Sequence, residues 1–170
     1  IPIVCAGQSP KGKQFVAENA NHQFVMTGKK NLIAGVADIT ARSSAVNRKV
    51  GIYALYHMII ADTDQAAKDI TEKIVRDVDT GAVSNILSSA ALDTNPTGTS
   101  DQLKSALQQD VEEGNMAFMG IPVLYGSVGT LVEKIKKLED ETGIDGLLFS
   151  WPNFLDGLRK FGREIAPNLT

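Results

Sequence analysis

The sequence predicts an α/β domain built on parallel strands, and three observations carry that prediction. Short apolar runs at residues 3–6, 22–26, 52–61 and 146–149 each precede a segment of helical character, which is the pattern of strand-helix units. No hairpin dipeptide joins two of these runs, so the strands must pair in parallel through right-handed crossovers. The 170 residues, 43% hydrophobic and 22% charged, suffice for one core and not for two ordinary domains.

In chain order, Ile3-Val4-Cys5-Ala6 has no polar alternation, as expected of a central strand buried on both faces. Gly7-Gln8 breaks it, Ser9 stands at an N-cap position, Pro10 at the first helical position, and 11–19 reads as a helix. Residues 22–26 form the second strand, ended by Thr27-Gly28-Lys29-Lys30, and 41–50 reads as the next helix. The ten residues 52–61 make the clearest strand, again apolar throughout. Asp62-Thr63-Asp64 then caps a helix over 65–77. Residues 79–122 fit the alternation least and read as an insertion, with a turn-rich tract at 94–99 and a helix over 101–113. Val128, Leu131, Val132, Ile135 and Leu138 form the stripe of a helix over 128–142 that stops at Gly143. After the strand at 146–149, Phe154, Leu155, Leu158, Phe161 and Ile165 predict one last helix ending before Pro167.

Composition excludes several function classes. Seventeen basic against 20 acidic residues give a net charge of −3 with no basic stripe, so nucleic acid is not an expected partner. No apolar run approaches membrane-spanning length. A single cysteine, Cys5, fits a reducing compartment, and a cytoplasmic location is expected. Two histidines and one thiol offer no metal-ligand spacing. The chain opens on Ile1-Pro2-Ile3-Val4, which reads as the interior of a larger protein.

Four strand-helix units are half of an eight-stranded β/α barrel, which takes roughly 250 residues. An open doubly wound sheet is the alternative at this length. Either architecture binds ligands at the carboxyl ends of its strands, which directs attention to Gly7-Gln8-Ser9, Met26-Thr27-Gly28, Asp62-Thr63 and Ser150-Trp151. The first turn suits a phosphate, because a glycine admits close approach and a serine hydroxyl sits beside helix-start amides. Ser9 is equally well explained as a helix cap, and the two uses are compatible. His57 in its apolar strand reads as a core histidine, His22 as structural, and Trp151 as packing at the rim rather than a ligand-stacking ring. No nucleophile triad, phosphate loop or dinucleotide fingerprint is present.

Four motifs in order carry a resemblance to a known family. Ile3-Val4-Cys5-Ala6-Gly7-Gln8-Ser9-Pro10-Lys11-Gly12, Ile59-Ile60-Ala61-Asp62-Thr63, Tyr125-Gly126-Ser127, and Phe154-Leu155-Asp156-Gly157-Leu158 with Phe161-Gly162-Arg163-Glu164-Ile165-Ala166-Pro167 together resemble the C-terminal half of bacterial-luciferase-like flavin monooxygenases. The pyrimidine monooxygenase branch is the more similar, the alkanesulfonate and dimethyl sulfone enzymes less so. The resemblance implies strands five to eight of a (β/α)8 barrel, with residues 1–170 as the C-terminal part of one domain. It further implies FMN, used as FMNH2 from a separate NAD(P)H-dependent flavin reductase, O2 as co-substrate, and oxygenation of a small organic substrate through a peroxyflavin. In the pyrimidine branch the serine of the corresponding turn contacts FMN, which maps onto Ser9, with Gly7 and Gln8 lining the same turn. The catalytic residues are unknown and lie mainly in the half not represented, so this chain alone is expected to be inactive. Pro10-Lys11 departs from the small residue usual after that serine. A half-barrel needs its N-terminal half or a homo-oligomeric partner, and the alternative function is a non-catalytic or phosphate-ligand-binding module made by a dimer of half-barrels.

Overall fold

The computed structural model describes residues 1–90, 92 and 117–169, apart from the side chains of 87 and 90; the predicted turn tract at 94–99 and helix at 101–113 lie outside them. Its elements are β1 (Val4–Cys5), α1 (Pro10–Asn19), β2 (His22–Val25), α2 (Lys29–Ala45), β3 (Gly51–Ile60), α3 (Asp64–Arg76), α4 (Thr80–Ala90), β4 (Val123–Gly126), α5 (Val128–Thr142), β5 (Gly146–Ser150) and α6 (Phe154–Lys160). A π-helical turn (Phe161–Ile165) and a 3-10 turn (Ala166–Asn168) follow. Among the described residues no helix is long and apolar enough to cross a membrane.

Every strand pair is parallel, as the missing hairpin signals predict. The long β3 organises the sheet. Both β2 and β5 pair with Tyr53 and Ala54, so they lie on opposite edges of β3. Both β4 and β5 pair with His57, so β4 shares its edge with β2 and takes the C-terminal half of it. The continuous run is therefore β1-β2-β3-β5, and β4 is a fifth strand that the sequence reading missed. It is only four residues long, and it lies just past the segment read as insertion.

The even-numbered side of β3 carries the cores. Ile52, Ala54 and Tyr56 pack with Val16 and Ala17 of α1, Leu32 and Ile39 of α2 and Leu138 of α5. Met58 packs with Leu131, Ile135 and Ile165. The odd-numbered side is different: Ile59 is covered by Ala67 of α3 and by Phe118, but Tyr53, Leu55 and His57 are only half-buried. Their neighbours on this face, Val4 and Leu148, are 48% and 42% exposed. The expected burial of β3 on both faces thus holds along the even face as far as Met58, and on the odd face only at Gly51 and Ile59. Nor is β1 a central strand: two residues long, it pairs among the described residues only with β2 and forms the edge of their sheet.

Helix α2 begins twelve residues before the predicted 41. Its N-cap is Gly28, which has no side-chain oxygen to announce a helix start. It ends at Ala45 in a Schellman motif, with Asn47 at a φ of 55°, its N–H on Ser44 O (3.0 Å) and the Arg48 N–H on Ser43 O (2.8 Å). The Arg48 guanidinium turns back to donate to the carbonyls of Glu18 and Ala20, closing the C-terminal end of α1. Asp38 of α2 accepts from Lys13 of α1 (2.8 Å) and from Arg42 (2.7 Å), and these cations hold its carboxyl below the usual range. Helix α4 forms inside the segment read as insertion, and the single helix expected over 154–165 changes to a π turn at Phe161.

Two glycines respond oppositely to a methyl group. A Cβ on Gly12 would lie 2.9 Å from the Gly7 Cα, a backbone contact that cannot yield, whereas one on Gly35 in α2 would meet nothing within 4 Å. Gly12→Ala should lower stability by about 1–3 kcal/mol, and Gly35→Ala should raise it by about 0.5–1 kcal/mol. Urea midpoints of the two variants check both signs.

Candidate functional site

Parallel strands place all their carboxyl ends at one rim, where five connections could receive a ligand. The first is the β1-α1 turn. Ser9 is the N-cap of α1, and its Oγ accepts the Gly12 N–H at 3.1 Å. The cap role read from sequence is therefore present. Gly7 and Gly12 approach so closely that a Cβ on either would lie 2.9 Å from the other's Cα. The Gly7 carbonyl is fixed by a 2.8 Å bond from the Gln23 side chain, which is 1% exposed on β2. Gly7, Gln8 and Ser9 thus form one rigid turn, with Gln8 half-buried beside the serine.

Its donors can be counted. Pro10 has no N–H, the Gly12 N–H goes to Ser9 Oγ, and the Lys13 N–H goes to Ser9 O at 2.8 Å. Within the first helical turn there remain the Lys11 N–H and the hydrogen of the Ser9 hydroxyl, since an oxygen that accepts one bond still donates its own proton; the N–H groups of Gln8 and Ser9 and the Gln8 side-chain amide are further donors of the turn. The Lys11 ammonium is exposed and makes no ion pair among the described residues.

Acid stands at the starts of α3, α4 and α6, and reaches the start of α5. Asp64 lies in the first turn of α3 and also accepts from the Ser127 N–H (2.7 Å) and the Thr130 hydroxyl (2.9 Å) at the start of α5. These bonds, the Ser127 amide foremost, hold its carboxyl below the usual range. Asp79 accepts the Ala82 N–H at α4, and α6 has Asn153 as its cap and Asp156 in its first turn. At α2 no acid lies in the first turn, but the Lys29 ammonium is taken by Glu141. An anion added at this rim meets less repulsion at Ser9 than at the starts of α3, α5 and α6; the start of α2 shares the absence of first-turn acid. A cavity of about 260 Å³ lies elsewhere, between β4, α5 and the start of α2, and none of Gly7, Gln8 and Ser9 lines it.

A second polar feature stands on the odd face. His57 and Ser150 are register partners on β3 and β5, and Ser150 Oγ lies 2.5 Å from His57 Nδ1. The imidazole is half-buried and tilts against Phe118 at 5.4 Å. Burial pushes its pKa below the ordinary value, and a hydrogen bond to the Ser150 backbone opposes this more weakly. The sequence treated His57 as a core residue; the pairing with Ser150, 93 positions away, has no local signal. Trp151 behaves as expected of a packing residue. It contacts Phe149, Phe154 and Phe161, and a Cβ on Gly157 would fall 2.1 Å from its ring. His22 stacks on Tyr53 at 4.2 Å, in keeping with a structural role.

No family model matches the sequence. Curated relatives do: the pyrimidine monooxygenase RutA of Cronobacter sakazakii is 27% identical over 171 residues, 98% of this chain and 49% of that protein. Among solved structures, the EDTA monooxygenase EmoA of Chelativorans sp. BNC1 superposes with a TM-score of 0.77 at 18% identity, over 98% of this chain and 43% of its own. The oxygenating constituent of 3,6-diketocamphane monooxygenase of Pseudomonas putida, solved with FMN, gives a TM-score of 0.61 at 17% identity, over 98% of this chain and 48% of its own. The chain therefore spans about half the length of the proteins it matches.

The depressed pKa of His57 fixes a pH dependence. The folded state binds fewer protons than the unfolded chain, so this contribution to stability is complete above about 6.5 and is lost as pH falls through the folded value. Urea unfolding should show a loss of stability from pH 8 to pH 5 that is smaller in His57→Gln.

Proposed function

We propose that this chain, similar from end to end to luciferase-like flavin monooxygenases, supplies strands five to eight of a (β/α)8 barrel and holds the phosphate of FMN at the Ser9 turn. The observation that carries this reading is the presence at one helix start of the Ser9 hydroxyl, the free Lys11 amide and a Lys11 ammonium without an ion pair among the described residues, with no acid in the first turn. The barrel assignment is supported by the continuous order β1-β2-β3-β5, four parallel strands as half of an eight-stranded barrel requires. β4 is then an addition packed on the outer half of one β3 edge. The half-open odd face, with Val4 and Leu148 exposed, would be barrel interior, covered by the missing N-terminal half. Two copies of the chain closing on each other through the same face are the second reading, a phosphate-binding module without redox chemistry.

In the flavin reading each residue has a limited task. Ser9 donates its hydroxyl hydrogen to a phosphate oxygen while accepting from Gly12, Lys11 adds charge and its N–H, and Gly7 lets the turn close. The flavin, reduced by a separate NAD(P)H-dependent reductase, supplies the oxygen chemistry on a small organic substrate. The protein around it orients the ring and excludes water. Residues that face the reacting atoms belong mainly to the other half of the barrel.

Fluorescence titration of the chain with FMN tests this. Ser9→Ala should weaken binding by about 1–2 kcal/mol, while binding of riboflavin, which lacks the phosphate, should not respond to the substitution. Equal FMN affinity in the two proteins would remove Ser9 from the site. Sedimentation separates the two architectures, because a dimer that persists without flavin favours paired half-barrels.

A further inference from the structure

Gln23 is a polar residue at a strand position that packing alone would fill with an apolar one. Its register partners are Cys5 on β1 and Ile52 on β3, it shares the buried face of β2 with Val25, and it is 1% exposed. An amide buried in such a place is costly unless it is bonded. Its Nε2 donates to the Gly7 carbonyl at 2.8 Å, a bond whose direction follows from the carbonyl oxygen, which can only accept. What the bond fixes is a peptide group. The Gly7-Gln8 peptide is trans, so its C=O and N–H point in opposite directions. With the carbonyl drawn toward Gln23, the Gln8 N–H is turned away from it. That N–H makes no hydrogen bond among the described residues. Glycine on the N-terminal side leaves such a peptide easy to turn over, and a flip would put a carbonyl oxygen where the N–H now stands.

We propose that Gln23 is a positioning residue for anion binding: by holding the Gly7 carbonyl, it keeps the N–H end of the Gly7-Gln8 peptide, and not its oxygen, turned toward a phosphate at the Ser9 turn. The inference rests on the flavin reading of that turn. Gln23 itself is buried beyond a ligand's reach, so it acts through the peptide. What it governs is discrimination, because N–H groups presented together favour an anion, whereas a carbonyl in the same place repels it and matters little to a neutral ligand.

Flavin fluorescence titration of Gln23→Met, which keeps the length of the side chain and removes the donor, tests this. FMN affinity should fall about tenfold, and the response to riboflavin, which lacks the phosphate, should not change. Thr142→Val removes another buried side-chain bond, to the Leu138 carbonyl, and should leave both responses as they are, which separates the effect from a general loss of stability. Unchanged FMN affinity in Gln23→Met, or an equal loss for FMN and riboflavin, would overturn the proposal. Amide spectra of the unsubstituted 15N-labelled chain give a second measurement that does not depend on how the variant folds. FMN should shift the amides of Gln8 and Lys11, and riboflavin neither. A silent Gln8 amide beside a shifting Lys11 amide overturns the role of Gln23 and leaves the flavin reading standing; silence at both removes that reading, and the proposal with it.

Discussion

The rest of the structure depends on one ten-residue strand that is paired along both edges. A backbone of that length inside a protein has to satisfy every N–H and C=O, and β3 does so by taking β2, β4 and β5 as partners at staggered heights. Its start is tightly held. Asp145 accepts the Ile52 N–H at 2.9 Å and returns its own N–H to the Ile52 carbonyl at 3.0 Å. Gly51 and Gly146 are small because nothing larger fits. A Cβ on Gly51 would lie 2.7 Å from the His22 ring, and one on Gly146 would lie 2.9 Å from the Tyr53 ring. The His22-Tyr53 stack therefore sits on a floor of two glycines, and the register of three strands is set there. With that register fixed, His57 can only meet Ser150.

The same register decides which ends of the helices are open to a ligand. Because β4 sits on the outer half of one β3 edge, its following loop brings Ser127 and Thr130 against Asp64. One carboxylate then serves two helix starts, α3 as a first-turn acid and α5 as a docked anion. Both dipoles are satisfied from within, which strengthens the link between β3 and β4 and removes two places where a phosphate could bind. Lys160 reaches from α6 to Asp62 at 3.0 Å and ties the last helix to the same corner. The corner is closed by charges of the chain itself, and the opposite end of the sheet, at β1, is left open.

Much of this was legible from sequence wherever the signal is local. Ser9 before Pro10, Thr63 before Asp64 and Gly143 after α5 each mark a helix boundary by the chemistry of one or two residues, and each stands where that chemistry puts it. The apolar run of β3 was equally plain. What failed has a physical reason in each case. Gly28 carries no capping oxygen, so the start of α2 was silent. β4 is four residues with a glycine at its end, too short for a period to show. Apolar residues in β1 and on the odd face of β3 imply burial, whereas the structure leaves Val4 and Leu148 on that face exposed. Gln23 under the Gly7 carbonyl, and Ser150 beside His57, are tertiary contacts without a sequence pattern.

As a phosphate anchor, the role proposed for it, the Ser9 turn would be unusual among helix-start anion sites because of Pro10. Such sites ordinarily rely on several amides aimed at one point and fixed in direction. Here proline removes the first of them, and the cap itself consumes the amide of Gly12, so the helix start alone would hold a phosphate weakly. On the proposed reading the side chains on either side of the proline would compensate. The Ser9 hydroxyl, held by the bond it accepts from Gly12, would supply direction. Lys11 would supply charge on a flexible stem, which attracts without orienting. Direction and attraction would then be divided between two residues of a turn whose backbone the close Gly7-Gly12 contact leaves little room to shift.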